Sequence, residues 1–339
     1  AADLPGTLPI VGRVAAGRPA ARPLGPGEAM EISTGGAVPE GADAVVPVEY
    51  VVVDGNRVEF AQGVPAGANV RPRGGDVAAG DVVVPAGTRI TAAQVGALAA
   101  AGVAELRCGS VPRVVVVTTG SELAAPGEPL APGQVYDANG LMLAAALAPV
   151  GADIEVAPAV ADDEAAHRAA LERGLGADVL VTSGGVSVGP HDLVRRIEAE
   201  LGVEEVFWRV AIKPGKPVSF GVRDGTLVFG LPGNPVSALV GCELFVKPAL
   251  RALQGLADPR PRFEPGRLAA PLRRTDARDE LVRARTRLDR DGVWLEPLRG
   301  QESHMIVRAA AADALVHVPR GEGELSAGAI VSWLRLGQP

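Results

Sequence analysis

Two segments rich in glycine and hydroxyl residues follow apolar runs and could hold an anion. They are VVVVTTGSEL, residues 114–123, and TSGGVSVGPHD, residues 182–192. Glycines let the backbone turn sharply and approach a ligand closely, and exposed N–H groups in such loops can cradle an oxyanion, aided by the dipole of the next helix. One such loop could equally be only a tight turn, whereas two in one sheet favour binding. The predicted binding residues are Thr119, Gly120, Ser183, Gly184, Gly185 and Ser187.

Three carboxylates stand where they could help to bind a cation. Glu122 and Asp192 end the two loops, and Asp162 follows the apolar run between them. Paired carboxylates beside phosphate-binding backbone suit Mg²⁺, which takes oxygen ligands and keeps several waters. A second interpretation is open for Asp162 and Asp192, because each precedes a predicted helix, where acids are favoured in any case.

A cluster of cations lies further along the chain, in FWRVAIKPGKPVSFG at 207–221. Arg209, Lys213 and Lys216 could bind phosphate or a metal oxoanion, or could form an ordinary solvated face. The next motif, GLPGNPVSA at 230–238, has Pro232 and Pro235 on either side of a Gly-Asn pair. This pattern predicts a rigid turn that forms one wall of a site at low entropic cost.

These segments lie in a region, from Pro112 to about Leu256, where strand-like and helix-like patterns alternate. Strands are predicted at 114–118, 154–159, 179–182, 218–222 and 227–230, and helices at 139–148, 164–173, 192–201 and 235–253. Continuous apolar strands separated by helices are typical of a mostly parallel sheet covered on both faces, a three-layer α/β domain. Ligands of such sheets bind at the carboxyl ends of the strands, which is where both loops fall.

The regions on either side have β-type patterns. VVVDGNRVEF, residues 51–60, predicts a hairpin with Asp54-Gly55 in the turn, and Thr91 is the predicted N-cap of a helix that ends before Gly102. Strands are predicted at 281–289, 293–298, 314–318 and 330–336, so we expect a small C-terminal β-barrel or sandwich. The predicted fold class is α/β plus β, with a central α/β domain, a flanking β-rich domain and this barrel.

The composition excludes several classes of protein. The 339 residues are 47% hydrophobic and 3% aromatic and carry a net charge of −7, whereas nucleic-acid binders usually have a basic excess and stacking aromatics. The only two cysteines, Cys108 and Cys242, cannot build a zinc site alone, and a reducing cytosol fits best. No apolar stretch reaches the ~18 residues of a membrane-spanning helix. The sequence has no Walker loop or dinucleotide fingerprint.

Several motifs, in this order and spacing, resemble those of one known family. They are TSGGVSVGPHD, AIKPGKPVSFG at 211–221 and GLPGNPVSAL at 230–239, with STGGAVPEGADAVVPVE at 33–49, RPRGGDVAAGDVVVPAGT at 71–88 and RGQESH at 299–304. Together they resemble the molybdopterin molybdenumtransferases, the bacterial MoeA and gephyrin E-domain family, over essentially the whole chain. The SGGVSVG loop alone is shared with the related adenylyltransferases.

The resemblance implies a cytoplasmic enzyme of molybdenum cofactor biosynthesis. Adenylylated molybdopterin binds with Mg²⁺ and molybdate, the adenylyl bond is hydrolysed, AMP leaves, and molybdenum is inserted into the dithiolene. Family members are elongated homodimers with four domains per chain, and the molybdopterin adenylyltransferase is a further candidate partner. No nucleic acid or membrane is expected as a partner. The sequence does not distinguish molybdate from tungstate, because both are tetrahedral dianions of similar size.

The resemblance also implies roles for individual residues. The expected catalytic acids are Asp192, Glu122, Asp162 and Asp76, and the expected Mg²⁺ ligands are Asp192 and Glu122. The residues expected to hold phosphate or molybdate are Arg209, Lys213 and Lys216. Further matches to positions that bind substrate are Thr34, Pro232, Pro235, Arg283 and Ser303. In the family, Thr34, Asp76, Arg283 and Ser303 face the cleft from across a dimer or domain boundary.

The expected domains are a β-rich domain at 1–76, a linker and part of an N-terminal dimerisation domain at 77–110, the α/β molybdopterin-binding domain at 111–258 and the barrel at 259–339. The family begins with a helical segment and an SAMDGYA-like stretch that bears a site acid, and this sequence starts just after that stretch would end. We therefore expect a trimmed or missing N-terminal segment. Ser121 stands where relatives often carry Asp, which places more weight on Glu122.

Two alternative functions are open. A molybdopterin adenylyltransferase shares the α/β domain but normally lacks the flanking β segments. A non-catalytic scaffold of the gephyrin E-domain type belongs to a different class of protein, and no linker or partner domain supports it here.

Overall fold

The computed structural model describes residue 1 and residues 3–185, 193–275 and 277–337. The chain divides into two units. The first comprises Ala1–Val84 and Gly96–Gly102, and the second comprises Pro85–Val95 and Val103–Pro339. The α/β region and the C-terminal β region both belong to the second unit.

A four-stranded sheet organises the first unit. Its strands are β1 (Gly6–Val14), β2 (Ala29–Ile32), β3 (Val51–Asp54) and β4 (Arg57–Phe60), in the order β2-β1-β4-β3. β3 and β4 form the predicted hairpin, but Asp54 pairs with Arg57 and the loop residues are Gly55 and Asn56. Gly55 has the positive φ, 57°, that a side chain would make unfavourable.

The first helix begins where the sequence predicts. α1 (Ala92–Ala100) follows Thr91, whose N–H donates to Gln94 Oε1 at 3.1 Å. This bond is half of a capping box, in which the side chain three residues into the helix satisfies an N–H group at its start. Gly102, with φ 80°, follows the last turn.

Six strands form the central sheet of the second unit. The strands of this region are β5 (Arg113–Thr118), β6 (Leu123–Ala124), β7 (Val135–Tyr136), β8 (Asp153–Val156), β9 (Val179–Ser183), β10 (Glu204–Trp208), β11 (Ile212–Lys213), β12 (Ser219–Arg223) and β13 (Thr226–Leu231). The sheet order is β10-β12-β13-β9-β5-β8. β13, β9, β5 and β8 are mutually parallel, and β12 is antiparallel to both its neighbours. The predicted mostly parallel sheet is therefore confirmed.

Helices cover both faces of this sheet. They are α2 (Asn139–Leu147), α3 (Glu164–Gly174), α4 (Leu193–Glu200), α5 (Pro235–Gly241) and α6 (Lys247–Leu253), and a π-helical turn at Cys242–Val246 joins α5 to α6. Val114 and Val116 of β5 lie in the same core as residues of α2, α5 and α6, whereas Val115 and Val117 lie in the core with α3 and α4. Alternate residues are buried on opposite faces, which explains the unbroken apolar run.

A closed barrel of five strands follows. The elements of this region are β14 (Phe263–Leu268), β15 (Leu272–Arg273), β16 (Asp279–Asp289), β17 (Gly292–Pro297), α7 (Ile306–Ala309), β18 (Ala314–Val318), β19 (Glu324–Leu325) and β20 (Ile330–Arg335). β16 pairs with both β17 and β18, which closes the ring β16-β17-β14-β20-β18. Trp333 is fully buried inside it, with Leu268 and Leu295. The expected barrel is confirmed, although the sequence pattern does not predict β14.

The barrel is attached to the α/β region of the same unit. β11 pairs in parallel with the start of β16, so that Lys213 lies opposite Glu280. Val240 of α5 packs against Leu281, Leu315 and Leu334 of the barrel. These contacts fix the lysine-bearing segment between the barrel and the sheet.

Candidate active site

Three loops meet at the carboxyl ends of neighbouring parallel strands. Thr118 at the end of β5 pairs with Ser183 at the end of β9, and Ser183 pairs with Leu231 at the end of β13. The backbone continues this pairing into the loops. Thr119 N–H donates to Ser183 O at 3.0 Å, and Gly184 N–H donates to Leu231 O at 3.1 Å. The structure thus brings the two loops predicted from the sequence together with the Pro232–Pro235 turn.

Gly184 has no room for a side chain in this arrangement. Its φ is 102°, and a Cβ there would be 2.4 Å from Thr119 O and 2.8 Å from Thr119 Oγ1. At Gly185, with φ 64°, a Cβ would be 2.5 Å from Val194 Cγ2. Both glycines are therefore required by conformation and by close approach of the β5 loop.

Polar side chains tie the three loops to the start of α2. Asn139 Nδ2 donates to Ser183 Oγ at 2.9 Å and to Gly233 O at 2.8 Å, and Ser183 Oγ donates to Pro232 O at 3.2 Å. Asp137 holds the same helix start to β5, because it accepts a bond from Thr118 Oγ1 at 2.7 Å. Sequence reasoning missed Asn139. A polar residue at a helix start resembles an ordinary cap, and no other signal marked it.

Two buried oxygens of this cluster have no hydrogen-bond partner among the described residues. They are Thr119 Oγ1 and Asn139 Oδ1, in residues that are 6% and 7% exposed. A buried polar atom without a partner costs about 1–3 kcal/mol. Such atoms in native proteins call for an explanation, such as a ligand or an ordered water.

Two of the predicted acids share one loop edge and are exposed. Asp162 Oδ2 accepts the Ser121 N–H at 3.2 Å, and the Asp162 N–H donates to Ser121 Oγ at 2.8 Å. The Glu122 carboxylate folds back over Gly120, where a Cβ would be 2.6 Å from Glu122 Oε2. Ser121 therefore connects the β5 loop to the loop after β8. Asp192 and Ser187 lie outside the described residues.

Arg209 lies at the same edge of the sheet as the three loops. β10 and β13 are both antiparallel to β12, so the carboxyl end of β10, at Trp208, lies at the same edge as the loops. Three strand spacings, ~14 Å, separate β10 from β9. The Arg209 guanidinium stacks 3.8 Å from the Trp208 ring centroid, and Arg195 stacks 3.9 Å from it on the same ring. Arg209 is exposed and has a φ of 74°, uncommon for a residue with a side chain.

The two predicted lysines have different surroundings. Lys213 Nζ is 3.2 Å from Glu280 Oε1 of the barrel, and its side chain is 48% exposed. Lys216 is exposed. Gly215, between them, lies beside α5, because a Cβ there would be 3.7 Å from Ser237 O. The segment thus lies next to the helix that follows the Pro232–Pro235 turn.

Ser303 of the barrel contacts this turn directly. Asn234 Nδ2 donates to Ser303 Oγ at 2.9 Å, and the Val236 N–H donates to Ser303 O at 3.0 Å. The barrel loop thereby satisfies an N–H group in the first turn of α5. The structure therefore places Ser303 beside the turn that carries Pro232 and Pro235.

Arg283 holds the loop that carries Ser303. Its side chain is 2% exposed and donates to Gly300 O at 2.7 Å, Met305 O at 3.0 Å, Glu302 O at 3.2 Å and Gln301 Oε1 at 3.3 Å. Burial lowers the pKa of Arg283 below its ordinary value. Four of its five N–H donors are occupied, so in this geometry it organises residues 300–305.

Comparison with known proteins identifies the family. Family models match residues 1–102 as "MoeA N-terminal region (domain I and II)", residues 115–252 as "Probable molybdopterin binding domain" and residues 265–336 as "MoeA C-terminal region (domain IV)". Molybdopterin molybdenumtransferase 2 of Mycobacterium tuberculosis is 40% identical over 332 residues, which cover 96% of this chain and 81% of that protein. The chain belongs to the molybdopterin molybdenumtransferase (MoeA) family. The resemblance found in the motifs is confirmed.

Other members of the MoeA family match over similar lengths. Molybdopterin molybdenumtransferase 1 of Mycobacterium tuberculosis is 38% identical over 340 residues, covering 98% of this chain and 80% of that protein. A crystal structure of the molybdopterin biosynthesis MoeA protein from Pyrococcus horikoshii OT3 has a TM-score of 0.82 and 26% identity, covering 97% of this chain and 81% of the other. The multidomain fold, α/β with flanking β regions, is therefore that of the MoeA family.

The remaining predicted residues belong to the first unit of this MoeA-family chain. Thr34 is exposed in the turn after β2, and Asp76 is exposed in a segment without regular structure. In the second unit, a cavity of about 220 Å³ between α4 and the β10–β12 edge is lined by none of the predicted site residues. Within the described ranges, no three His, Cys, Asp or Glu residues group as metal ligands. None of the helices described there is long and apolar enough to cross a membrane.

Proposed function

We propose that this chain is a molybdopterin molybdenumtransferase that inserts molybdenum from molybdate into adenylylated molybdopterin, with Mg²⁺-dependent release of AMP. One observation carries the assignment of the site. The loops after β5, β9 and β13 meet at one edge of the sheet, and two buried oxygens of this cluster, Thr119 Oγ1 and Asn139 Oδ1, have no hydrogen-bond partner among the described residues. All of these loops lie within residues 115–252, the segment matched by the molybdopterin-binding family model.

The backbone of these loops is held in one conformation, which favours binding by preorganised groups. Gly184 and the Thr119 backbone are fixed by bonds to the ends of neighbouring strands, so a ligand would meet preformed donors and acceptors. Preorganised polar groups stabilise charge in a transition state because they need no reorganisation when the charge develops. Hydrolysis of the adenylyl bond by water places such charge on phosphate oxygens.

The acids fit a Mg²⁺ ion that is held mainly by waters and substrate. Glu122 and Asp162 present exposed carboxylates at one loop edge, and Mg²⁺ often binds one or two carboxylates together with substrate phosphates. We assign Glu122 as the ligand in the described region and Asp192 as a second ligand outside it. When bound, the ion would neutralise phosphate charge.

The cations would bind the anionic part of the substrate or molybdate. Arg209 is held on the Trp208 ring at the same sheet edge, ~14 Å from β9, a span that suits a substrate with a heterocycle at one end and phosphate further along. Lys213 and Lys216 flank Gly215 beside α5. Ser303 and the Pro232–Pro235 turn would form the wall between these two parts.

We further propose the assembly in which the enzyme works. The domains would be 1–76, 77–110, 111–258 and 259–339, in a cytoplasmic homodimer. Thr34 and Asp76 would contribute to a cleft shared between chains or domains, and the molybdopterin adenylyltransferase would supply the substrate.

The proposal is tested by incubating the purified protein with adenylylated molybdopterin, molybdate and Mg²⁺ and measuring AMP release and molybdenum incorporation. Glu122→Gln should slow AMP release by about 10²-fold, whereas Glu128→Gln, an exposed acid on the same β5–α2 connection, should not change it. Full activity in Glu122→Gln would exclude its assigned role. Formation of adenylylated molybdopterin from ATP, without molybdenum transfer, would instead indicate an adenylyltransferase.

A further inference from the structure

The side-chain amide of Asn139 connects two of the strand-end loops through its nitrogen, whereas its oxygen has no partner among the described residues. Both Nδ2 hydrogens are donated, to Ser183 Oγ at 2.9 Å and to Gly233 O at 2.8 Å. The Gly233 carbonyl can only accept, so the amide nitrogen must face the loops and Oδ1 must face the other way. The chemistry of the partners therefore fixes the orientation of this amide.

Asn139 Oδ1 is buried without a hydrogen-bond partner in the part of the chain that the structure describes. The second such oxygen of the cluster, Thr119 Oγ1, lies on the opposite face of the sheet. The Thr118 hydroxyl donates to Asp137 on the α2 side, whereas Thr119 Oγ1 lies beside Gly185 and Val194 on the α4 side. Two separate polar positions, the acceptor Oδ1 of Asn139 and the hydroxyl of Thr119, thus flank the end of β9.

The type of atom limits what can satisfy Oδ1. A carbonyl oxygen accepts hydrogen bonds and repels anions, so neither molybdate nor an ionised phosphate can be its partner. A fused heterocycle with ring N–H or amino groups can. Pterins and adenine both have such donors, and the substrate in the proposed function carries both rings.

We propose that Asn139 is a specificity-determining residue whose Oδ1 accepts a hydrogen bond from an N–H donor of the substrate's heterocycle. This inference rests on the proposed function. It places the heterocycle beside the start of α2, on the side of the Asn139 amide that faces away from the β9 and β13 loops, and leaves the anionic part to the cations further along the sheet edge. Asn139 Nδ2 would at the same time hold the β9 and β13 loops in position.

The experiment pairs changes in the protein with changes in the ligand. Titration calorimetry would measure the Kd of 6-hydroxymethylpterin and of its derivative methylated at N3 and twice at the 2-amino group, which has no N–H donor left, and of AMP and its N6,N6-dimethyl derivative. These affinities would be compared for wild type, Asn139→Ala and Ser183→Ala. We expect wild type to bind the unblocked member of one pair about tenfold more tightly, and Asn139→Ala to lose that preference.

The two ligand pairs distinguish between the pterin and the adenine as the hydrogen-bond donor. Loss of the preference for pterin identifies the pterin as the donor, and loss of the preference for AMP identifies adenine. Ser183→Ala removes one acceptor of Nδ2 but leaves Oδ1, so it should keep the preference even if both ligands bind more weakly. A preference that survives in Asn139→Ala overturns the proposal and leaves Asn139 as a loop connector only.

The wild-type protein alone also provides a test if Asn139→Ala does not fold, as judged by circular dichroism. Equal binding of both members of each pair by wild type overturns the inference without any variant. The proposed function is judged separately, by molybdate-dependent AMP release from wild type. If wild type releases AMP but does not discriminate between the heterocycles, only the role of Asn139 is refuted. If wild type shows neither AMP release nor discrimination, the proposed function is refuted.

Discussion

The sequence predicts both the strand-end loops and a set of cationic side chains as site residues. The two groups differ in whether their polar atoms already have partners within the protein. In the loops, two buried oxygens, on Thr119 and Asn139, have no partner in the described structure. Among the cations, Lys213 pairs with Glu280, Arg209 stacks on Trp208, and Arg283 donates four bonds within its own barrel.

This difference separates two kinds of contribution to binding. Neutral loop groups that already lack a partner gain a hydrogen bond when a ligand arrives, at little further cost. A cation that already has a partner must exchange it or share it, so its net contribution is smaller. Counting charges in the sequence therefore overestimates how many cations are available to substrate, and it undervalues neutral residues such as Asn139.

The largest effect is expected from Gly184→Ala. The new Cβ would overlap Thr119 O, at 2.4 Å, in a backbone with φ 102°, so we expect a loss of at least ~3 kcal/mol in unfolding free energy and loss of activity. The control is Gly225→Ala, which also has positive φ, 91°, but has open space around it and should cost about 1–2 kcal/mol. Equal destabilisation in urea unfolding would contradict the close-approach argument.

Arg283→Lys should have the next largest effect, because lysine cannot reproduce the forked donors that hold residues 300–305. We expect a loss of about 2–4 kcal/mol in unfolding free energy and a rise in KM for molybdate that exceeds the change in kcat, since Ser303 would shift. The matched control is the exposed Arg285→Lys on the same strand, expected to change stability by less than ~0.5 kcal/mol. If both variants unfold at the same urea concentration, Arg283 does not organise the loop.

Glu280→Gln tests whether the ion pair limits the availability of Lys213 to substrate, because it removes the charge of the Lys213 partner at 3.2 Å. If Lys213 binds the oxoanion, molybdate affinity measured by calorimetry should rise about two- to fivefold, an effect of the size of an exposed ion pair, and should fall with added salt. Glu296→Gln removes an equal charge from the same barrel, where Glu296 pairs with Arg287. An equal rise in that control would mean that only the overall charge of the barrel matters.

The smallest effect concerns the pH dependence of the barrel. The Arg320 N–H, followed by His317, holds the pKa of the Asp279 carboxyl below its usual range. Its stabilising contribution is therefore complete above the unfolded pKa of about 3.9 and is lost as pH falls through the lower folded pKa. Asp279→Asn should lower the Tm slightly at pH 7, and the gap to wild type should narrow below about pH 4. A gap that stays constant down to pH 3 would contradict this assignment.

The sequence predicts most clearly the strands that are buried on both faces of the sheet. β5 and β9 are buried on both faces and read clearly as strands, whereas β10, EEVFW, is an edge strand with charged and exposed positions. β14 contains Pro265 and Gly266, which normally argue against a strand. Gly266 is needed because a Cβ there would be 3.0 Å from the Trp333 ring, a contact that arises from the pairing of β14 with β20.

The position of the candidate site could be predicted from the sequence, but the hydrogen bonds and ion pairs of its side chains could not. The sequence predicts that the glycine and hydroxyl loops lie together at strand ends, since that follows from the order of strands and helices, and the structure places them there. The contacts of Asn139 and Lys213 depend on partners far along the chain. Asn139 reaches residues 44 and 94 positions away, and Lys213 reaches a residue 67 positions away. Such contacts are set by tertiary packing, which local patterns do not encode.

The most direct test of the account is hydrogen–deuterium exchange of the purified protein with and without adenylylated molybdopterin. If these loops bind the substrate, exchange should be slower in peptides that cover the ends and loops of β5, β9 and β13, at residues 118–122, 182–185 and 232–236. The exposed turn between β12 and β13, at Asp224 and Gly225, should exchange equally in both states. Protection confined to other regions, with these three loops unchanged, would contradict the proposal that they bind the substrate.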